Sequence, residues 1–258
     1  MKDLPIRLIS RIDIKGENVI KGIHLEGLRV IGNPNKIASN YYNEGIDEII
    51  FMDVVASLYG RNNIFSVINN AAQNIFVPIT VGGGIRSVED INSALRNGAD
   101  KVAINTAAIK NPELISEASK IFGSQCIVLS IEAKRREGGY WEALVDNGRE
   151  KTDISVLDWV KKAEGLGVGE ILLTSVDKEG TQSGFDLELI EEVNNTVGVP
   201  VIACGGAGKL EHIEKIISKN INVSFALSSI FHYKKYSPSE LKKALSNNGF
   251  NVRTDCLL

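Results

Sequence analysis

Two acidic residues stand at the ends of strongly apolar runs. "RLISRIDIK" (7–15) brings Asp13 to the end of one, and "CIVLSIEAKR" (126–135) brings Glu132 to the end of another. An unpaired acid in a hydrophobic interior costs several kcal/mol, so such a position needs a reason. Two acids that face each other across a pocket are suited to proton transfer at the two ends of one substrate. The plainer alternative pairs each with a nearby base: Lys15 for Asp13, and Lys134 or Arg135 for Glu132.

A second set of residues has the chemistry of anion binding. "VGGGI" (81–85) and "CGGAGK" (204–209) supply glycines, which let backbone N–H groups come close to a phosphate. "NTAA" (105–108) and "LSSIF" (227–231) follow apolar runs where helices begin, and N–H groups at a helix start point outward. Thr106, Ser228 and Ser229 add hydroxyl donors. A lone Gly-Gly is explained equally well by a tight turn. Here the motifs come in pairs, as a substrate with a phosphate at each end requires.

A third set sits at the other ends of the runs. Arg7, Glu48, Lys101 and Glu170 each begin one. Charges at strand starts commonly do no more than solvate a rim. Two acids and two bases on alternate strands can also close into a ring around a barrel axis, which plugs or gates it.

The elements that must carry these residues are legible. Eight runs rich in Val, Ile or Leu lie at 7–12, 48–52, 78–82, 101–104, 126–131, 170–174, 200–204 and 223–227. Between them are segments of helical period, such as "SVEDINSALRNG" (87–98), "PELISEASKIFG" (112–123) and "DLELIEEVNNTVG" (186–198). In the first, Ser87 reads as an N-cap and Gly98 as a stop. Continuous rather than alternating apolar strands indicate a parallel sheet buried on both faces. Eight such units in 258 residues predict an α/β fold, a (β/α)8 TIM barrel in one domain spanning residues 1–258. The alternative is an open doubly wound sheet.

An internal repeat favours the barrel. "DEIIFMD" (47–53) aligns with "GEILLTS" (169–175), and "GGIRSVEDI" (83–91) with "GGAGKLEHI" (205–213), both at a shift of 122. "RLISRIDIK" matches "IVLSIEAKR" (127–135) approximately. The chain is therefore two half-barrels of four units each. In this fold the active site lies at the C-terminal ends of the strands, where Asp13 and Glu132 fall on opposite walls.

Composition narrows the rest. With 43% hydrophobic residues, 24% charged and a net charge of −3, no basic stripe is present to neutralise nucleic acid. No apolar run reaches the roughly 20 residues that span a bilayer. Cys126, Cys204 and Cys256 lack paired spacing, which predicts a reducing, cytoplasmic setting. His24, His212 and His232 have no metal-ligand spacing, so neither metal nor cofactor is expected. Cys204 reads as a buried strand thiol rather than a nucleophile. "GGYWEALVDNG" (138–148) reads as a hairpin whose Tyr140 and Trp141 cover the site or merely pack.

At this point the sequence resembles the HisF-type cyclase subunit of imidazole glycerol phosphate synthase. The likeness runs nearly end to end through "GIDEIIFMD" (45–53), "TVGGGI" (80–85), "GADKVAINTAA" (98–108), "FGSQ" (122–125), "GEILLTSVDKEGT" (169–181) and "GGAGK" (205–209). It implies a (β/α)8 barrel partnered as a heterodimer by a glutaminase subunit. Ammonia from that subunit enters through the barrel bottom and attacks a bisphosphorylated ribulosyl-formimino aminoimidazole carboxamide ribonucleotide. Imidazole glycerol phosphate and the aminoimidazole carboxamide ribonucleotide result.

By resemblance, Asp13 is the essential acid/base and Lys21 the lysine of the first loop. Arg7, Glu48, Lys101 and Glu170 are the ammonia gate, and Asp100 lies at the docking face. Gly84, Asn105, Thr106, Gly180, Gly206 and Ser229 are phosphate-binding positions. Three departures stand out. Glu132 and Glu179 replace family aspartates, and the first loop, "KGENVIKG" (15–22), has a displaced glycine. One extra methylene moves a carboxylate by more than about an ångström, enough to cost roughly a hundredfold in rate if uncompensated. Two other expectations therefore stand beside the cyclase. One is a HisF-like paralogue that channels ammonia for amidination of a sugar in surface-polysaccharide synthesis. The other is a non-catalytic activator of a glutaminase.

Overall fold

The computed structural model describes residues 5–56 and 64–254; Cys256 lies outside the described residues. Eleven strands form one sheet: β1 (Leu8–Lys15), β2 (Asn18–Ile23), β3 (Glu26–Gly32), β4 (Glu48–Asp53), β5 (Ile79–Gly82), β6 (Lys101–Ile104), β7 (Ile127–Arg135), β8 (Trp141–Leu144), β9 (Glu170–Ser175), β10 (Val201–Cys204) and β11 (Ser224–Leu227). Eight of them run parallel in the order β1-β4-β5-β6-β7-β9-β10-β11. The last closes on the first, with Leu8 opposite Phe225 and Ser10 opposite Leu227. This is the eight-stranded (β/α)8 barrel, with helices between the strands; the open sheet is ruled out by the β11–β1 pairing.

Period-two alternation sorts each strand into an outer and an inner face. Leu8, Ile12 and Ile14 of β1 face the helices and join a large outer core with Phe51, Leu129, Ile171 and Phe225. Ile9 faces inward and meets Ile50, Ala103, Val128, Leu172, Ile202 and Ala226 in a separate, smaller core inside the barrel. Above and below this apolar layer the inward positions turn polar. Arg7 and Glu170 lie on one side of it, and Arg11, Asp13, Ser130 and Glu132 on the other.

The helices follow their local signals. Ser87 caps α3 (Val88–Arg96) by accepting from the Asp90 N–H. Asp186 does the same for α7 (Leu187–Thr196) through the Leu189 N–H. Before them lie α1 (Pro34–Asn43) and α2 (Ile64–Ala72); between them lie α4 (Thr106–Lys110), α5 (Glu113–Phe122) and α6 (Val156–Leu166). The series ends with α8 (Leu210–Ile217), α9 (Ser229–His232) and α10 (Pro238–Asn247). The two short helices, α4 and α9, follow β6 and β11, which are equivalent positions in the two halves.

Two sequence expectations need adjusting. β7 does not end at Glu132 but continues to Arg135, because β8 pairs with it antiparallel from Leu144 opposite Glu132 to Trp141 opposite Arg135. Likewise β1 runs on to Lys15, and the first loop is a hairpin arm, β2–β3, whose first strand pairs with β1 at Ile14 and Lys15. In both cases a short partner strand extends the barrel strand beyond its apolar run.

Candidate active site

The lower rim carries the four alternating charges in a closed ring. Arg7 Nη1 meets Glu48 Oε1 at 2.5 Å and Arg7 Nη2 meets Glu170 Oε1 at 2.5 Å. Lys101 Nζ completes the ring at 3.1 Å from Glu48 Oε2 and 2.9 Å from Glu170 Oε2. Arg7 Nε also donates to Ser224 Oγ at 2.9 Å. The neighbouring Asp100 accepts from the Ile79 N–H at 2.8 Å, which pins the start of β5 beside the ring.

At the opposite end Asp13 and Glu132 are both buried and face the barrel interior. Neither pairs with Lys15, Lys134 or Arg135, the bases considered for them from the sequence. Lys134 binds Asp177 at 2.6 Å and Arg135 binds Glu188 at 2.7 Å, both away from Glu132. Asp13 instead accepts from Arg11 Nε at 2.8 Å and lies 4.0 Å from Lys21 Nζ. Glu132 is hydrogen-bonded by the Asn105 side-chain amide, which also donates to the Leu144 carbonyl at 3.1 Å.

These surroundings push the two acids apart. Burial alone would raise Asp13, but the Arg11 and Lys21 charges outweigh it and hold the group below the usual carboxylate range. Burial dominates at Glu132 and, with Asp13 adding to it against the opposing Arg11, lifts its pKa to about 7. At neutral pH one acid is a carboxylate and the other is poised to give or take a proton.

Glu132 opens onto a cavity of about 300 Å³ lined by Gly83, Gly84, Arg86, Asn105, Thr106 and Lys110, with Asp146 and Asn147 above. Gly84 holds φ +74°, and at Gly83 a Cβ would strike the Asp53 carbonyl, so the glycine turn is needed for close backbone approach. Thr106 Oγ1 accepts from the Asp146 N–H at 3.0 Å, which ties the start of α4 to the hairpin loop. On the other wall, Gly206 at φ +101° packs against the Gly184 carbonyl. On that wall Ser228 and Ser229 are also buried, and among the described residues the Ser228 hydroxyl has no hydrogen-bond partner. The two glycine motifs thus stand on opposite sides of one mouth.

The hairpin arm closes over a third side. Lys21, buried, is ion-paired to Glu179. The His24 N–H donates to the Glu179 carbonyl at 2.8 Å. A Cβ at Gly180 would collide with the Gly22 carbonyl, so the arm and the β9 loop meet backbone to backbone.

Other residues serve packing. Trp141 is buried and donates to Asp186 Oδ2 at 3.1 Å, while Tyr140 is exposed. Cys204 is a buried thiol whose pKa burial raises. His232 donates to or accepts from Tyr41 at 2.7 Å, and burial lowers its pKa to about 4, so it is neutral. Sequence reasoning missed Arg11, Asp146 and Lys110. Arg11 carried a readable signal, since it lies two residues from Asp13 and so shares its face of the strand. Asp146 had none, because only the fold of the hairpin loop brings it to Thr106.

Comparison with known proteins agrees with this geometry. A family profile described as "Histidine biosynthesis protein" matches residues 7–237. The imidazole glycerol phosphate synthase subunit HisF of Legionella pneumophila is 64% identical over 206 residues, covering 80% of this chain and 97% of that protein. The same subunit from Methanopyrus kandleri is 45% identical over 265 residues, covering 96% and 97%. That of Corynebacterium glutamicum strain R is 46% identical over 254 residues, covering 96% and 98%. The chain belongs to the histidine-biosynthesis protein family, among the HisF subunits of imidazole glycerol phosphate synthase.

Proposed function

We propose that this chain is the cyclase subunit of imidazole glycerol phosphate synthase and works in the cytoplasm with a glutaminase subunit. The observation that carries the reading is axial. A charge ring at the bottom, an apolar layer in the middle and two differently tuned carboxylates at the top lie along one barrel axis. Small neutral ammonia crosses an apolar layer readily, whereas a charged group there is costly. Arg7, Glu48, Lys101 and Glu170 form the gate, and Asp100 marks the face on which the glutaminase docks.

In the mouth, Gly84, Asn105 and Thr106 serve one phosphate end of the substrate, with Arg86 and Lys110 as nearby cations. Gly206, Ser228 and Ser229 serve the other, and Lys21, Glu179 and Gly180 close the hairpin arm over it. Asp13 and Glu132 exchange protons with the attacking nitrogen and with the oxygen it displaces. Neither nucleic acid nor a membrane has a role; among the described residues no helix is long and apolar enough to cross a membrane.

A second reading is favoured by one contact. Glu132 reaches across to the Asn105 amide, a position that a shorter aspartate would not hold in the same way. A pocket re-shaped there suits the paralogue that delivers ammonia to a sugar. The deciding assay follows absorbance of the ribulosyl-formimino ribonucleotide with ammonium chloride as nitrogen source. Turnover is expected, and Glu132→Asp should reduce it. A wild type that is silent with ammonium chloride and with every glutaminase of its own genome overturns the cyclase reading.

A further inference from the structure

Arg11 is the most deeply buried cation at the mouth, at 1% exposure. Its guanidinium is held from three strands. Nε donates to Asp13 Oδ1 at 2.8 Å, and Nη1 donates to Thr174 Oγ1 on β9 at 2.9 Å. Nη1 also lies 3.5 Å from Cys204 Sγ on β10. Besides Asp13, the groups that the guanidinium touches, Thr174 and Cys204, are small and neutral. Taking a guanidinium out of water is costly unless an anion of good geometry faces it. Asp13 is that anion; Glu132 is bound by a neutral amide instead.

We propose that Arg11 is a positioning residue that divides the two carboxylates into a base and an acid: its fixed guanidinium holds Asp13 as the proton acceptor and leaves Glu132 as the proton carrier. This rests on the reading of the site as an acid–base pair. As nitrogen adds to a carbonyl carbon, it gives one proton to Asp13 while the oxygen takes one from Glu132, so the pair exchanges roles without a change in total charge.

The other groups around Asp13 do not replace Arg11. Lys21 on β2 is 4.0 Å away and is itself ion-paired to Glu179. His232 on α9 is neutral above about pH 4. Glu132 is faced by Arg11, Asp13, Asn105 and Asp146, of which only Arg11 favours its ionised form by charge. Removing Arg11 therefore raises both carboxylates, and Asp13 loses its direct partner.

The test is a carbon-13 NMR titration of side-chain carboxyls in the full chain, assigned with Asp13→Asn and Glu132→Gln. In the wild type Asp13 stays ionised into the acid range while Glu132 titrates near 7. Arg11→Met should move the Asp13 titration to higher pH and lower kcat roughly a hundredfold with KM little changed. Arg11→Lys, which keeps the charge, should return the titration toward wild type. An Asp13 titration that Arg11→Met leaves in place overturns the proposal. So does a KM that rises in step with the loss, which would make Arg11 a substrate contact. Should Arg11→Met fail to fold, Arg11→Gln, which keeps a polar group near Thr174 but no charge, takes its place, and an unmoved Asp13 titration is equally fatal. The titrations need no substrate, so a chain inactive on the ribonucleotide but with these shifts sinks the cyclase and not the division of roles.

Discussion

At the lower rim each carboxylate oxygen of Glu48 and Glu170 meets a cation, two acids against two bases. At the mouth Arg11 and Lys21 stand against Asp13, Glu132 and Glu179, and no cation among the described residues is in salt-bridge contact with Glu132. The two ends also differ in wetness. Side chains of Arg7 and Lys101 are 24% and 18% exposed, whereas those of Arg11 and Lys21 are 1% and 2%. A balanced ring at a partly wet rim leaves each of its charges paired. An unbalanced cluster in a dry mouth forces its members to take different protonation states.

The most severe way to break this contrast is at Asp13. Asp13→Asn keeps the shape and removes the ionised acid, and should lower ammonia-dependent turnover by about 10²–10⁴-fold. The lower ring is untouched, so binding of a glutaminase should be unchanged. A variant that retains more than about a tenth of wild-type turnover would show that the mouth does not depend on its unequal carboxylates.

Glu132 sharpens the contrast through stability. Its folded pKa, about 7, is above the 4.5 of an ordinary glutamate, so the folded protein binds the proton more tightly than the unfolded chain. That contribution is complete at acid pH and is lost as pH rises through 7, leaving a buried carboxylate that costs roughly 3 kcal/mol. Glu132→Gln should therefore match the wild type near pH 4.5 and exceed it in urea resistance at pH 8. Urea midpoints at the two pH values check this, and an advantage that does not grow with pH would place Glu132 in a wetter site.

Much of this was legible because the barrel writes its layers into each strand. Asp13 and Glu132 were visible as acids closing apolar runs, and Arg7, Glu48, Lys101 and Glu170 as charges opening them. The half-barrel repeat then placed them on opposite ends of one axis. What could not be read was cross-strand. Arg11 looked like an interruption of an apolar run until Thr174 and Cys204, more than 160 residues away, supplied its surroundings. The hairpin read at 138–148 does supply β8, but that it pairs back onto β7 and lengthens it was not legible, nor was the arm β2 that extends β1. Nor did the sequence show where the Asn105 side chain goes, whose amide hydrogens are directed at Glu132 and the Leu144 carbonyl.

The smallest expected effect on the protein itself comes from the ring. Lys101→Ala leaves Glu48 and Glu170 each with one oxygen still on Arg7. Lys101 is partly exposed but both carboxylates are buried, so the loss of stability should be about 1–2 kcal/mol. The consequence should instead lie in coupling. With ammonium chloride, which reaches the mouth from bulk solvent, turnover should stay near wild type. With glutamine and the partner subunit, hydrolysis should outrun product formation, because the side chain that closes the ring is missing and ammonia escapes at the subunit boundary. Parallel measurement of glutamate and of imidazole product separates the two. Equal amounts of both in Lys101→Ala would mean that the ring does not control passage, and the charge-balanced end would then be rim solvation after all.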